Sequence, residues 1–374
     1  MNRPLRVLHL TFNMGIGGTE QVIRQLVSGM DAGEASNEIL CIDGQVGPMG
    51  EQLRETGIPV TSVVRQPGFD RALIRAIRGR LREGGFDIVH CHQYTPWVYG
   101  WFAALGTPAK VVFTEHGRFY PDRYRYKAAL INPLMARTTS SIVAISAATR
   151  LALARYEFMP RSRIRVVYNG IEPLQPDSDT VHQLRRELDL PETAFIVGTV
   201  SRLDSIKNQA MMLRAFARFL EDCPNAWLLI VGDGPERDNL EVLASHLNIS
   251  HRVSFTGFVN NPVNHLALMD VFLLSSHSEG TSMTLLEATS LGIPALVTSV
   301  GGNPEIVSEG VNGLLTPPDD GWAFARAMIE LWQKPPLRKQ LGQGGQERFG
   351  ERFSRDVMVT AYQQIYRHCI KGEA

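Results

Sequence analysis

The sequence predicts an α/β protein built from two doubly wound parallel sheets. Three observations lead there. A chain of 374 residues exceeds what one ordinary core organises. Short β-branched apolar runs alternate with helical patterns from end to end. That alternation restarts after a Pro- and Asp-rich stretch near residue 170. The composition, 44% hydrophobic and 20% charged, is that of a soluble globular chain.

The first strand, "RVLHLTF", runs into "NMGIGGTEQVIRQL", a glycine-rich turn that opens an amphipathic helix. Backbone N–H groups and the helix dipole converge at such a junction and favour an anion. A dinucleotide fingerprint would require Gly-x-Gly-x-x-Gly. From Gly15 the pattern reaches Gly17 but meets Glu20 at the third position, and from Gly17 it meets Thr19 and Val22. The dinucleotide reading weakens while the anion cradle survives. The runs "EILCID", "VTSVV", "DIVHCH", "KVVFTEH", "SIVAIS" and "IRVVYN" follow, separated by helices such as "TPWVYGWFAALG".

The second series comprises "FIVGTVSRL", "AWLLIVGDG", "VSFTGF", "VFLLSS", "ALVTS" and "GLLT". Each series reads as a Rossmann-like domain, with the boundary in "VVYNGIEPLQPDSD". The expected division is residues 1–170, 171–353 and a terminal segment 354–374, whose helix is expected to pack back on the first domain. Ligands of such sheets bind beyond the carboxyl ends of the strands, so a cleft shared by the two domains is the expected site.

The four cysteines show no close pairing, which points to a reduced, cytoplasmic chain. No stretch approaches about 18 consecutive apolar residues, so neither a spanning helix nor an export signal is expected. The net charge of zero conceals an asymmetry: the first 170 residues are basic and the remainder equally acidic. Much of the basic excess lies in "FDRALIRAIRGRLREGG" and "GRFYPDRYRYKAALINPLMAR", where Arg and Lys mix with aromatic and aliphatic residues. Such stretches suit either a solvated helix face or an anionic membrane surface. Nucleic acid is not an expected partner, since no recognised module accompanies the basic residues.

Candidate chemistry concentrates in the second half. "GTVSRLDSIKNQAMMLRAF" ends a strand with Arg202 and Lys207 before a helix, and two cations there can neutralise a diphosphate without metal. "VFLLSSHSEGTSMTLLEATSLGIP" puts Glu279 in a turn and Glu287 eight positions later in the following helix. The backbone N–H groups of Thr281, Ser282 and Met283 lie between them, an arrangement suited to a phosphate flanked by hydroxyl-rich groups. His116 ends a first-domain strand, and His90 and His92 alternate on another. No third ligand accompanies that pair in the sequence, so no metal site is expected.

The stretches "SRLDSIKN", "SEGTSMTLLEA", "VGGNPEIV" and "NGLLTPPDD", with "GGTEQVI", "DIVHCH", "FTEHG" and "VYNGI", resemble the retaining glycosyltransferases of family 4. The resemblance implies a GT-B fold, two Rossmann-like domains facing a central cleft, and a metal-independent reaction on a nucleotide sugar, UDP favoured. It implies no cofactor. By matching motif, Arg202 and Lys207 would hold the diphosphate, Glu279 the transferred sugar and Glu287 the ribose. Gly257 and Phe258 would wall the base, Gly17 and Gly18 would bring backbone to the diphosphate or sugar, and His116 would contact the donor sugar. The reaction implied is hexosyl transfer with retention, in which the leaving phosphate assists the incoming hydroxyl. The expected acceptor is a polyprenyl-diphosphate-linked glycan, with segment 118–137 meeting the inner face of a membrane through Arg123, Arg125, Lys127, Tyr124 and Tyr126. The alternatives are a soluble acceptor, a nucleotide-sugar epimerase, or a nucleotide-sugar-binding protein without catalysis.

Overall fold

All thirteen apolar runs form strands, and they sort into two parallel sheets in the computed structural model, which describes residues 3–117 and 123–371. The first sheet holds β1 (Leu5–Thr11), β2 (Ala35–Cys41), β3 (Val60–Ser62), β4 (Ile88–His92), β5 (Lys110–Glu115), β6 (Ser141–Ala144) and β7 (Ile164–Val166). Their spatial order is β3-β2-β1-β4-β5-β6-β7. The second holds β8 (Phe195–Val200), β9 (Ala226–Val231), β10 (Val253–Gly257), β11 (Val271–Leu274), β12 (Ala295–Thr298) and β13 (Gly313–Thr316). Its order is β10-β9-β8-β11-β12-β13. Every ladder is parallel.

Strands covered on both faces must be apolar along their whole length. β4, β6, β8, β11 and β12 are accordingly buried at every position. In each sheet the chain order reverses once, between β1 and β4 and between β8 and β11. Those reversals open crevices at the carboxyl ends of the strands, the standard ligand position of doubly wound sheets.

The chain divides into two units, Met1–Glu172 with Ser354–Ala374, and Pro173–Phe353. The final helix, Arg355–Lys371, belongs to the first. It buries Met358, Tyr362, Ile365, Tyr366 and Cys369, a stripe at helical spacing. Gly29 admits this helix closely, since a Cβ there would stand 2.9 Å from Arg355 Cδ and Val359 Cγ2.

The first basic stretch forms the helix Arg71–Glu83, capped by Asp70, whose carboxylate accepts from the Ala72 and Leu73 N–H groups. Leu73, Ile74, Ile77 and Leu81 face the core. Arg78 donates to the Phe102 and Ala103 carbonyls, and Arg80 pairs with Glu38. Arg78 and Arg80 are thus engaged internally, while Arg71, Arg75 and Arg82 lie on the exposed face of the helix.

Candidate active site

The crevice between β8 and β11 is built from two loops stitched together. After β8, Asp204 accepts from the Ile206 and Lys207 N–H groups and forms a single 3-10 turn, Ser205–Lys207. Asn208, at φ 50°, then starts the helix Gln209–Asp222. After β11, Ser275 Oγ donates to the carbonyls of Lys207 and Asn208, and the His277 N–H to that of Ile206. Lys207 and Glu279 meet across this seam: Nζ to Oε1 is 2.7 Å, and Ser276 Oγ donates to the same oxygen at 2.6 Å.

Glu279 is only 7% exposed, so its charge depends on these partners. Its backbone is fixed as tightly as its side chain. The Gly302 N–H donates to the Glu279 carbonyl at 3.2 Å. Gly301 sits at φ +51°, where any Cβ would lie 1.8 Å from that same oxygen. Only glycine satisfies both the left-handed conformation and the contact.

Ser282 caps the following helix, Met283–Ser290, by accepting from the Leu285 N–H. Thr281 and Met283 flank the cap, half-buried, and Glu287 lies about one turn into the helix, also half-buried. Arg202 stands apart from the Lys207–Glu279 pair, with its side chain 72% exposed and 3.9 Å from Asp204. Gly257 ends β10 at φ +77°, its carbonyl accepting from the Gly232 N–H, and Phe258 beside it is exposed.

The first unit contributes a second cluster, at the carboxyl ends of β1, β4 and β5. The glycine-rich turn leads into the helix Gly18–Gly29, with Gly17 as its N-cap. Glu20 folds back on this end: its Oε2 would stand 2.5 Å from a Cβ on Gly17, and burial raises its pKa. An anion held there therefore meets a carboxyl that must swing away or take up a proton.

His116 follows β5, and its Nε2 lies 2.8 Å from His92 Nδ1. Burial lowers the His116 pKa to about 3 and pushes those of His90 and His92 well down, so all three are neutral near pH 7. Contrary to the expectation that no third ligand accompanies His90 and His92, a third histidine stands beside them. β1 pairs beside β4 with His9 opposite His90, and one ring nitrogen from each of the three lies within 4.8 Å of the others. All six ring nitrogens of this trio are nevertheless engaged. His9 binds Asn37 and His92, His90 binds Tyr366 and Thr114, and His92 binds His9 and His116.

Of the second basic stretch, residues 118–122 lie outside the described residues. Arg125 is not available to a lipid as expected, because its guanidinium pairs with Glu157 at 3.0 Å and stacks 4.5 Å over Tyr94. Tyr126, Leu130, Ile131 and Leu134 are exposed. Among the described residues no helix is long and apolar enough to cross a membrane.

Sequence reasoning missed Ser276, Gly301, His9, Asn37 and Glu115. The Glu115 carboxyl accepts from the His116 N–H at 3.1 Å, and burial raises its pKa to about 7. Ser276 was recoverable as the hydroxyl three residues before Glu279. The others depend on loop packing and on strand register.

Both halves of the chain match glycosyltransferase families. Residues 181–348 match the family model for glycosyl transferases group 1, and residues 16–174 that for glycosyltransferase family 4. The chain belongs to the group 1, family 4 glycosyltransferases. It is 29% identical over 316 residues to the N-acetyl-alpha-D-glucosaminyl L-malate synthase of Bacillus anthracis, covering 83% of this chain and 82% of that one. It is 27% identical over 262 residues to the UDP-Gal:alpha-D-GlcNAc-diphosphoundecaprenol alpha-1,3-galactosyltransferase of Escherichia coli, covering 67% of each. The crystal structure of Anabaena Alr3699/HepE in complex with UDP superposes with a TM-score of 0.85 at 22% identity, over 96% of this chain and 99% of that one. The glycosyltransferase fold is thus GT-B.

Proposed function

We propose that this glycosyltransferase moves a hexosyl group from a UDP-sugar to a glycan carried on a polyprenyl diphosphate, with retention of configuration and without a metal. The observation that carries the reading is the Lys207–Glu279 pair at the β8/β11 crevice, beside the capped N-terminus of Met283–Ser290. Lys207 has three N–H donors and gives one to Glu279, which leaves it donors for a diphosphate. Arg202, exposed on the same loop, adds a planar donor set. Glu279 and Glu287 accept from sugar and ribose hydroxyls, and Gly257 and Phe258 border the base. The backbone at Gly17 and Gly18 and the His116 imidazole serve the donor from the first unit.

In the reaction, the bond from the anomeric carbon to the phosphate oxygen breaks, and a bond from that carbon to the acceptor oxygen forms on the same face. The acceptor's proton passes to the departing phosphate oxygen. Arg202 and Lys207 stabilise the charge growing on the diphosphate, so catalysis rests on positioning and electrostatics. The UDP bound in the HepE crystal structure supports the choice of base, and the diphosphoundecaprenol named for the Escherichia coli relative supports the acceptor class. The exposed Tyr126, Leu130, Ile131 and Leu134, with Arg123 and Lys127 nearby, offer a surface for the lipid's membrane.

The L-malate of the Bacillus relative's name favours a second reading, transfer to a small soluble acceptor. A nucleotide-sugar panel separates these, with nucleotide release followed in the presence and absence of a polyprenyl-linked glycan extract. Extract-dependent release from a UDP-sugar, with an axial anomeric linkage by NMR from an axially linked donor, is the expected result. Release with L-malate or another small acceptor alone selects the second reading, and an inverted product rejects retention. Vesicles containing anionic lipid should sediment the wild type at low salt and release a Leu130→Ser, Leu134→Ser variant; equal sedimentation of the two rejects the membrane surface.

A further inference from the structure

His116 is the last member of a chain of buried and part-buried hydrogen bonds that begins on β2. Asn37 Oδ1 lies 3.1 Å from His9 Nε2, His9 Nδ1 lies 3.0 Å from His92 Nε2, and His92 Nδ1 lies 2.8 Å from His116 Nε2. The chain ends at His116 Nδ1, which is buried and has no hydrogen-bond partner among the described residues.

A neutral imidazole donates from one nitrogen and accepts at the other, so one fixed end sets the direction of the whole chain. The Asn37 carbonyl oxygen can only accept. His9 must therefore carry its proton on Nε2 and accept at Nδ1, His92 must do the same, and so must His116. Burial lowers the His9 pKa to about 4, which keeps this first imidazole neutral near pH 7. His90 stands outside the chain, with both nitrogens committed to Tyr366 and Thr114.

We propose that Asn37, His9 and His92 are positioning residues that hold His116 in the tautomer protonated at Nε2, so that Nδ1 presents a lone pair to a hydroxyl of the transferred sugar. The inference rests on the reading of His116 as a donor-sugar contact. A sugar hydroxyl binds either tautomer, because it can donate to a lone pair or accept from an N–H. Only the lone pair leaves electron density on a sugar ring that becomes electron-poor as the phosphate departs. The relay should therefore govern turnover and leave donor binding nearly alone.

The test uses the full-length enzyme labelled with 15N-histidine, with tautomers read by long-range 15N–1H correlation and kinetics measured on the best donor of the panel. Wild type and Asn37→Asp, whose carboxylate also only accepts, should show His116 protonated at Nε2 and kcat values within about twofold of each other. Asn37→Lys, a donor at the same place, should reverse the chain and protonate His116 at Nδ1. Its kcat should fall about tenfold, the worth of one hydrogen bond, with donor KM within about twofold. Asn37→Ala removes the acceptor without adding bulk and should give mixed tautomers. An unchanged His116 tautomer in the Lys and Ala variants overturns the relay, whether or not kcat falls. Full activity in His116→Ala instead overturns the donor-contact reading on which it rests.

Discussion

At the scale of single residues, the second unit's site rests on a buried carboxylate with two partners. Removing Lys207 leaves Glu279, 7% exposed, with the Ser276 hydroxyl as the one remaining side-chain partner of its carboxylate among the described residues. Lys207→Ala should destabilise the second unit by about 3 kcal/mol in urea unfolding, while Lys207→Met combined with Glu279→Gln should recover most of that loss. The exposed pair Lys334–Glu330 is the control, and Lys334→Ala should cost about 0.5 kcal/mol or less. Glu115 supplies a pH signature in the first unit. Burial first, and Glu157 next among the charges, raise its pKa from 4.5 to about 7, against the Gly117 and His116 N–H groups and Arg125. The folded state then binds a proton that the unfolded state has released, so this group's contribution to stability is full at low pH and lost as pH rises through about 7. Relative to Glu115→Gln, wild type should lose on the order of 3 kcal/mol between about pH 4 and about pH 8. His9 and His116 have lowered pKa values and act in the opposite sense, losing stability as pH falls below 6.5. The difference between the two proteins isolates Glu115, and identical pH profiles would refute the assignment.

At the scale of elements, the final helix closes the buried polar cluster of the first sheet. Tyr366 Oη lies 2.7 Å from His90 Nδ1, and Tyr362 Oη lies 3.0 Å from Thr114 Oγ1. Tyr366→Phe strands an imidazole nitrogen in the core and should cost about 1–2 kcal/mol in denaturant unfolding, whereas Tyr126→Phe at an exposed site should cost nothing measurable. The strands were legible because burial on both faces demands unbroken apolar runs, and "FIVGTV" and "VFLL" announce themselves. Lys207 and Glu279 were legible for a related reason: each follows a readable strand and precedes a readable helix, so both fall at strand ends. The relay was not. Its members are separated by 28, 83 and 24 residues, and only the register that sets His9 opposite His90, and His92 opposite Thr114, brings them together. Arg125 misled for a similar reason, since its partner Glu157 comes from a distant turn.

At the scale of the molecule, the duplication of one architecture is what the charge pattern and the chemistry share. The first unit carries the basic excess, most of the exposed large apolar side chains and the histidine cluster, while in the more acidic second unit Arg202 and Lys207 share one loop after β8. On the proposed function, the loop after β8 is where the donor's diphosphate is held. The most direct measurement is calorimetric titration of UDP into the wild-type enzyme and into Lys207→Ala and Arg202→Ala. Saturable binding by wild type, weakened at least tenfold in both variants while each remains folded, is the predicted result. Equal affinity in all three proteins would contradict the account, because the diphosphate would then be held somewhere other than the loop after β8.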